Sequence, residues 1–259
     1  MDGTEAEASI DAFHRGRFHL VQPRYGGHRA GMDAMMLAAA APTAFSGLVA
    51  DLGAGAGGAG LAVLARCPRA RALLVEREPA MADFARRTLD LEANAGVAGR
   101  ASLLVADVAL AGRARTEAGL ADRSVDLVLM NPPFNEARDR QTPDLLRKAA
   151  HVMEEGLLER WIRTAAAILK PSGSIALIAR PQSLAEILGA MEGRFGGIEI
   201  RPIHPRPGAA AIRVVVRGVR GSRRTMALCA PLFLHEIEGE RFSAEADAIA
   251  NGLASLFGD

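Results

Sequence analysis

Apolar and polar residues alternate along this chain with two different periods, which predict strands and helices in turn. Short apolar runs of strand length recur at 47–52, 71–76, 101–107, 124–130 and 174–179. Stretches with the 3.6-residue spacing of helices stand between them, at 59–67, 79–96, 157–169 and 182–192. Strands that alternate with helices predict an α/β fold built on a mostly parallel, twisted sheet.

Two later strands break this alternation. The segments 198–204 and 212–218 have strand character, with no helix-length segment between them. They predict an antiparallel hairpin at the edge of the sheet. No repeat or linker divides the chain, so residues 13–259 are predicted to form one domain, with a cap at 13–45 and a core at 46–259. Residues 1–12 are acidic at their start and are predicted to be disordered.

The amino-acid composition argues against a membrane protein, a secreted protein and a metalloprotein. Hydrophobic residues make up 49% of the 259 residues, enough for a sizeable core, but no run approaches the ~18 apolar residues of a membrane span. The N-terminus lacks the apolar segment of a secretory signal. Cys67 and Cys229 have no metal-ligand spacing, and the six histidines form no HxxxH-like pair. The sequence therefore predicts a cytoplasmic protein with reduced thiols, no membrane association and no metal site.

Charge is nearly balanced overall but uneven along the chain. The net charge is +1, whereas the segment from Arg194 to Arg224 holds eight arginines with Glu199 as its one acid. Such a segment suits the phosphates of a nucleic acid, and it suits a plain solvated face equally well.

The sequence DLGAGAGG, residues 51–58, joins the first long buried strand to its helix. Gly53, Gly55 and Gly58 fit the dinucleotide-binding spacing GxGxxG, and glycines here let a ligand approach the backbone and the free N–H groups of the helix. Asp51, however, would repel a pyrophosphate. Its carboxylate favours a ligand with positive charge, such as the ammonium and sulfonium of S-adenosylmethionine (SAM).

Two more acids, Glu76 and Asp107, follow the next two strands at the same predicted sheet edge. They match the hydrogen-bonding needs of a ribose diol and an adenine amino group. Each acid also has a plain interpretation: Asp51 as a helix N-cap, Glu76 as an exposed turn residue and Asp107 as an Asx-turn. Their shared position at one sheet edge favours SAM binding.

The strand at 124–130 ends in NPPF, residues 131–134. With the glycine loop, Glu76 and Asp107, this motif resembles the class I SAM-dependent methyltransferases. The resemblance implies a Rossmann-like fold with SAM as cofactor. NPPF after the fourth strand is similar to the loop of the amino methyltransferases, which modify exocyclic nitrogens of bases or the glutamine side-chain amide.

The segments that flank these motifs narrow the resemblance. The segments 26–40 (GGHRAGMDAMMLAAA) and 206–223 (RPGAAAIRVVVRGVRGSR) resemble the bacterial tRNA adenine-N6 methyltransferases that act on valine tRNA beside the anticodon. The likeness extends from about Phe13 to Gly252. It implies a cofactor contact at Asp33, although Met32 stands where the family pattern has a small hydroxyl residue.

The NPPF loop has a chemical interpretation. An exocyclic amine is a weak nucleophile because its lone pair is delocalised into the ring, so acceptors must aim it at the methyl donor. The Asn131 side-chain oxygen and the Pro132 carbonyl can accept its two N–H groups, Pro132 and Pro133 stiffen the loop, and Phe134 offers a ring for an unstacked base. The plain alternative is a proline turn with a buried Phe.

The sequence thus predicts a SAM-dependent methyltransferase that acts on N6 of adenine in RNA, with tRNA as the leading substrate. A protein glutamine N5-methyltransferase, an rRNA guanine-N2 methyltransferase and a non-catalytic SAM-binding accessory subunit remain alternatives. The predicted catalytic residues are Asn131, Pro132, Pro133 and Phe134, and the predicted cofactor contacts are Asp33, Asp51, Gly53, Gly55, Glu76, Asp107 and Asn131. RNA is expected to contact Phe134, Arg217, Arg220, Arg223 and Arg224, with the arginines near the same sheet end as Asn131. Trp161 is predicted to be a core residue.

Overall fold

The computed structural model describes residues 7–25, 29–132 and 156–259. Its strands are β1 Ala8–Phe13, β2 Phe18–Pro23, β3 Gly47–Leu52, β4 Ala70–Glu76, β5 Ala101–Val105, β6 Val125–Met130, β7 Leu169–Ala179, β8 Phe195–His204, β9 Arg213–Arg220, β10 Ala227–Leu228 and β11 Leu232–Phe233. Its helices, numbered within these residues, are α1 Met32–Ala38, α2 Gly58–Arg66, α3 Pro79–Leu89, α4 Ala95–Ala98, α5 Gly112–Glu117, α6 Leu157–Ile168, α7 Leu184–Met191 and α8 Ala244–Ala250.

The main sheet has the order β5-β4-β3-β6-β7-β9-β8-β10, and β11 also pairs with β8. Strands β3 to β7 run parallel, and β9 runs antiparallel to both of its neighbours. This arrangement confirms the predicted mostly parallel α/β sheet and the late antiparallel hairpin. The reversed strand β9 lies between β7 and β8. The β8–β9 hairpin therefore extends the sheet beyond β7, and the short strands β10 and β11 pair with its outer strand, β8.

Two apolar layers cover the two faces of the sheet. Successive strand residues point to opposite faces, so Val215 joins the layer with α1, α2 and α8, while Val214 and Val216 join the layer with α6 and α7. The helices contribute buried side chains to these layers, such as Leu64 of α2 to the first and Ile162 of α6 to the second. Burial on both faces explains why the strands are near-continuous apolar runs. None of the described helices has the length and hydropathy needed to cross a bilayer.

The N-terminal strands correct one prediction. Disorder over residues 1–12 is wrong for Ala8–Ala12, because β1 pairs with β2 in a separate antiparallel sheet, from Ala8 opposite Pro23 to Phe13 opposite Phe18. The acid of this segment is neutralised, since Arg29 Nη2 lies 2.7 Å from Asp11 Oδ2. Residues 1–6 lie outside the described residues.

Asn94 attaches this hairpin to the main domain. Its amide is fully buried; Oδ1 accepts the His19 N–H at 2.8 Å, and Nδ2 donates to the carbonyls of His19 (2.8 Å) and Thr88 (2.7 Å). The buried Thr88 hydroxyl accepts the Val21 N–H at 2.9 Å. These bonds satisfy backbone groups of β2 that have no strand partner on that side.

We expect Asn94→Ala to lower the free energy of unfolding by about 3 kcal/mol, because the N–H and carbonyl of His19 lose their partner and the Thr88 carbonyl keeps only a long bond from the Leu91 N–H. Denaturant unfolding would measure this. Asn251→Ala is a suitable control, since Asn251 bonds only to Asp247 within its own helix end. Equal losses in the two variants would contradict the anchoring role of Asn94.

Candidate active site

A cleft opens where β3 and β6 end at the carboxyl edge of the sheet. The residues that line it have small side chains, apart from one acid and one amide; they are Ala30, Ala34, Asp51, Gly53, Ala54, Ala56, Gly58, Ala59 and Asn131. Small side chains leave the backbone open to close approach by a ligand. The cleft therefore has the form of a cradle around the glycine loop, as expected for an open α/β sheet.

The glycine loop is held rigidly by the neighbouring strand. The N–H groups of Gly53 and Ala54 both donate to the Val75 carbonyl at 2.9 Å, and the Gly55 N–H donates to Glu76 Oε2 at 2.8 Å. Gly53 has φ +75°, and a Cβ there would lie 2.7 Å from Cη2 of Trp161. Both the backbone conformation and the space therefore require glycine at position 53.

Asp51 lies at the base of the cleft and is only 3% exposed. Its Oδ2 accepts the N–H of Gly60 in the first turn of α2 at 2.8 Å, so the carboxylate does serve the helix start, as its plain interpretation proposed. Burial raises the pKa of Asp51 to about 7; the Gly60 hydrogen bond opposes the rise, and the charge of Glu76 adds to it. A buried carboxylate of this kind is stabilised by a cation placed in the cleft.

Glu76 and Asp107 end the next two strands, as predicted. Glu76 is buried, and its two oxygens accept the N–H groups of Gly55 and Glu78 at 2.8 Å each. It is not the exposed turn residue of the plain interpretation. Asp107 Oδ1 accepts the Ala109 N–H at 2.8 Å, which is the Asx-turn considered for it, and its side chain is 37% exposed. Both acids retain acceptor capacity for a ligand.

Asn131 follows β6 directly and lines the cleft opposite the glycine loop. Its side chain forms no hydrogen bond with any residue in the described ranges, and Pro132 is buried beside it. Pro133 and Phe134 lie outside the described residues. The part of the motif that the structure describes therefore presents an amide with unused acceptor and donor groups to the cleft.

Asp33 is placed beside the cleft but is engaged by a distant residue. Arg213 Nε, at the start of β9, lies 2.8 Å from Asp33 Oδ2 in the first turn of α1. The next residue, Ala34, lines the cleft. The ion pair joins the two flanking segments on which the resemblance depends, and it holds α1 against the carboxyl edge of the sheet.

Three of the four late arginines are not where they were expected. The prediction that they lie near the same sheet end as Asn131 is wrong for Arg220, Arg223 and Arg224, because β9 is antiparallel and carries the chain away from that end. Arg217 is level with Leu129, two residues before Asn131, since both are opposite Ala176 of β7. Arg217 lies midway along the strand, and Arg220 is opposite Phe195, the first residue of β8. Arg223 and Arg224 follow at the amino edge of the sheet.

Two of these arginines are also occupied. Arg217 lies within 2.7 Å of carboxylates of Glu199 and Asp259, with its guanidinium 4.1 Å from the centre of the Phe257 ring and its side chain 17% exposed. Arg220 donates to the Leu169 carbonyl. Arg223 and Arg224 are exposed.

Sequence reasoning missed three features of the cleft. Trp161 packs against the apolar layer, as predicted, but the far end of its ring also contacts Gly53, and its buried indole N–H has no partner among the described residues. Ala30 and Ala34 line the cleft, although alanine carries no chemical signal. Arg213 reaches Asp33 across 180 residues of sequence, a contact that no local pattern reveals.

The donors and acceptors of the cleft fit SAM. The small side chains leave the backbone of the glycine loop open to a ligand, and Asp51 supplies negative charge for the ammonium and sulfonium. Glu76 and Asp107, at the ends of the neighbouring strands, supply acceptors for hydroxyl and amino groups. The described residues contain no group of three or more His, Cys, Asp or Glu side chains arranged to hold a metal ion.

A glycine loop after β3, acids after β4 and β5 and an Asn-Pro pair after β6 define a methyltransferase of the nucleoside-binding α/β class. Comparison with known families is specific: residues 27–202 match the methyltransferase small domain, so the chain belongs to that family and uses SAM as its cofactor.

Relatives and solved structures agree with this class. The chain is 45% identical to a crystal structure from Agrobacterium tumefaciens titled a predicted O-methyltransferase, with 86% of this chain and 97% of that chain covered and a TM-score of 0.76. The M. jannaschii TYW2 structure in complex with AdoMet is 13% identical, with 85% of this chain and 88% of that chain covered and a TM-score of 0.56. At this identity it shows a shared fold alone. The tRNA1(Val) (adenine(37)-N6)-methyltransferase of Porphyromonas gingivalis is 29% identical over 163 residues, and the match spans 61% of each chain.

We expect Asp51→Asn to weaken SAM binding by about tenfold or more, because the cation loses its buried counter-charge while the amide oxygen still accepts the Gly60 N–H. For the unaltered protein, SAM affinity should rise as the pH rises through about 7, since the ionised carboxylate is the binding form. The Asn variant should show no such rise. Calorimetric titration with SAM between pH 6 and 8 would measure both, and a pH-independent affinity in the unaltered protein would contradict the role.

In the absence of SAM, Asp51→Asn should make the protein more stable, although it weakens SAM binding. The pKa of Asp51 in the folded protein, about 7, lies above the ordinary value of an aspartate in the unfolded chain. The folded protein therefore binds more protons between about pH 4 and 7 and loses stability as the pH rises through that window. At pH 8 we therefore expect ligand-free Asp51→Asn to melt at a higher temperature than the unaltered protein. Asp83→Asn, at an exposed helix position, is the control.

We expect Arg213→Gln to raise the Kd for SAM by up to about fivefold, the range of a partly exposed ion pair, because the start of α1 is released from β9. The exchange of both residues, Asp33→Arg with Arg213→Asp, should recover part of the affinity. If the variant with both residues exchanged binds SAM no better than Arg213→Gln does, Asp33 contacts SAM directly.

Proposed function

We propose that this protein transfers the methyl group of SAM to the exocyclic N6 of an adenine in RNA, with tRNA beside the anticodon as its substrate. The observation that carries the proposal is the position of Asn131 in the cleft, opposite the glycine loop and next to the buried Pro132. An amide at that point can receive an amino group where the methyl donor is expected.

The chain's own residues account for the chemistry by positioning. Bound SAM supplies an activated methyl group. The Asn131 side-chain oxygen and the Pro132 carbonyl accept the two N–H groups of the adenine amine, which draws the nitrogen toward tetrahedral geometry and takes its lone pair out of conjugation with the ring. Orientation of this kind can supply ~7–11 kcal/mol of a barrier. Asp51, fixed by Gly60, balances the positive charge of the donor.

The relatives support an RNA substrate without deciding it. The Porphyromonas gingivalis protein is named for methylation of adenine 37 in a valine tRNA, and it shares 29% identity over 61% of its length. The segments that resemble this group, 26–40 and 206–223, meet through the ion pair of Asp33 with Arg213. Physical contact between the two segments favours a common role for them.

Transfer to oxygen is a second possibility, because the Agrobacterium protein is titled a predicted O-methyltransferase. A hydroxyl acceptor needs a base that removes its proton in the transfer step. Among the described residues that line the cleft, Asp51 is the one titratable side chain, and it serves the glycine loop and α2. An amine acceptor needs hydrogen-bond acceptors instead, which Asn131 and Pro132 provide. The cleft therefore favours nitrogen.

Mass spectrometry of tRNA nucleosides, before and after incubation with the protein and SAM, tests the proposal. We expect new N6-methyladenosine in tRNA. Methylguanosine in rRNA, or methylglutamine in a protein extract with unmodified tRNA, would assign the protein to one of the alternatives. SAM binding without transfer to any of these would favour an accessory subunit.

We expect Asn131→Ala to abolish methyl transfer while SAM affinity stays within a few-fold, because the amide serves the acceptor amine. Phe134→Ala should weaken RNA binding by ~1–3 kcal/mol if its ring stacks on the target base. Turnover and SAM titration would be measured side by side, with Asn251→Ala as a control remote from the cleft. Near-normal turnover of Asn131→Ala would refute its role.

A further inference from the structure

The arginines of this protein differ in how they are neutralised. At the carboxyl edge, Arg77 and Arg213 are paired with carboxylates, while Arg206, in the turn between β8 and β9, is exposed and has no ion pair with a described residue. At the opposite, amino edge of the sheet, five exposed arginines have no ion pair with any described residue: Arg69, Arg71, Arg123, Arg223 and Arg224. We call these five residues the amino-edge band.

The band crosses several strands. Arg69 and Arg71 lie at the start of β4, Arg123 lies two residues before β6, and Arg223 with Arg224 follows the end of the reversed strand β9. Arg223 and Arg224 lie against Gly196 and Gly197 of β8, so in the order β8-β9-β7-β6-β3-β4 the band extends over five strand spacings, or about 24 Å. The reversal of β9 brings the end of the arginine-rich segment to this edge.

Most of the negative charge near the band is shared with other cations. Asp126, in β6, pairs with Lys170 at 2.8 Å and also interacts electrostatically with Arg71 of the band, and Asp122 pairs with the buried Arg115. Glu192 is the exception, since it lines a shallow groove together with Arg224. The band is therefore a strip of excess positive charge on a protein whose net charge is only +1.

A strip of unpaired guanidinium groups favours a polyanion, because guanidinium recognises phosphate with two parallel hydrogen bonds. Its distance from the cleft limits what that polyanion can be. Arg123 precedes and Asn131 follows the same strand, β6, whose six residues span about 20 Å. A single nucleotide bound in the cleft is too short to reach so far, whereas a folded RNA is large enough.

We propose that the amino-edge band binds the phosphate backbone of the substrate RNA at a distance from the methylated nucleotide, so that the enzyme requires a folded RNA. This inference rests on the proposed function. Arg217 and Arg220, which already have partners within the protein, are no longer expected to contact RNA, whereas Arg69, Arg71 and Arg123 are. Arg223 and Arg224 remain as predicted contacts.

The test compares two variants with the same change in net charge. In the band variant, Arg69, Arg71, Arg123 and Arg223 are replaced by Gln. In the control variant, Arg15, Arg86, Arg113 and Arg163 are replaced by Gln; these four are exposed arginines in ion pairs elsewhere on the surface. Binding of full-length tRNA and of its isolated anticodon stem–loop is measured at several salt concentrations, together with SAM affinity and methylation of both RNAs.

We expect the band variant to bind full-length tRNA several-fold more weakly, with a salt dependence flattened by roughly three units, while its stem–loop binding and SAM affinity are unchanged. The control variant should bind full-length tRNA nearly as the unaltered protein does. Equal weakening in both variants, no weakening in the band variant, or an equal loss for the stem–loop would overturn the inference.

Two further outcomes separate this inference from its premise. If the unaltered protein methylates neither RNA, the proposed function fails, whereas the binding comparison still measures the band. If the band variant loses binding to vesicles with anionic lipid headgroups but keeps its affinity for tRNA, the band belongs to a membrane surface and the inference is wrong.

Discussion

The buried carboxylate of Asp51 is the interaction on which the site depends. It ends the central strand β3 and accepts the Gly60 N–H of α2, so the strand, the glycine loop and the helix meet at one group. Gly60 has to lack a side chain, because a Cβ there would clash with Leu74 and crowd Asp51. Burial of this charge without a cation costs stability, as the raised pKa of Asp51 shows. The positive charge of bound SAM would therefore stabilise the ionised form of Asp51.

Much of the site could be predicted because its signals are local. A parallel sheet brings the carboxyl ends of its strands to one edge, so Asp51, Glu76, Asp107 and Asn131 could be placed together from the order of strands alone. The glycine loop was equally visible. Long-range contacts were not: the contact of Trp161 with Gly53 and the pair of Asp33 with Arg213 depend on the packing of α6 and α1, which no periodicity encodes.

Two errors have a common physical origin, the neglect of strand pairing. The acidity near the start of the chain suggested disorder, but β2 offered β1 a partner and Arg29 neutralised Asp11. The arginine-rich segment suggested one surface beside the cleft, although an antiparallel hairpin had been predicted for it. A reversed strand moves its later residues to the far edge, and its inner arginines pair with the acids of its neighbour, as Arg217 does with Glu199.

The electrostatics of the two sheet edges fit the SAM cofactor and the RNA substrate that we propose. A cleft that stabilises a sulfonium carries acids at β3, β4 and β5, and the same acids repel the phosphates of an RNA. Strong phosphate contacts placed beside them would be weakened by that repulsion. An enzyme that binds a cationic cofactor and a polyanionic substrate is therefore better served when its unpaired arginines stand apart from the cofactor. The length of β6, about 20 Å, separates Arg123 from Asn131.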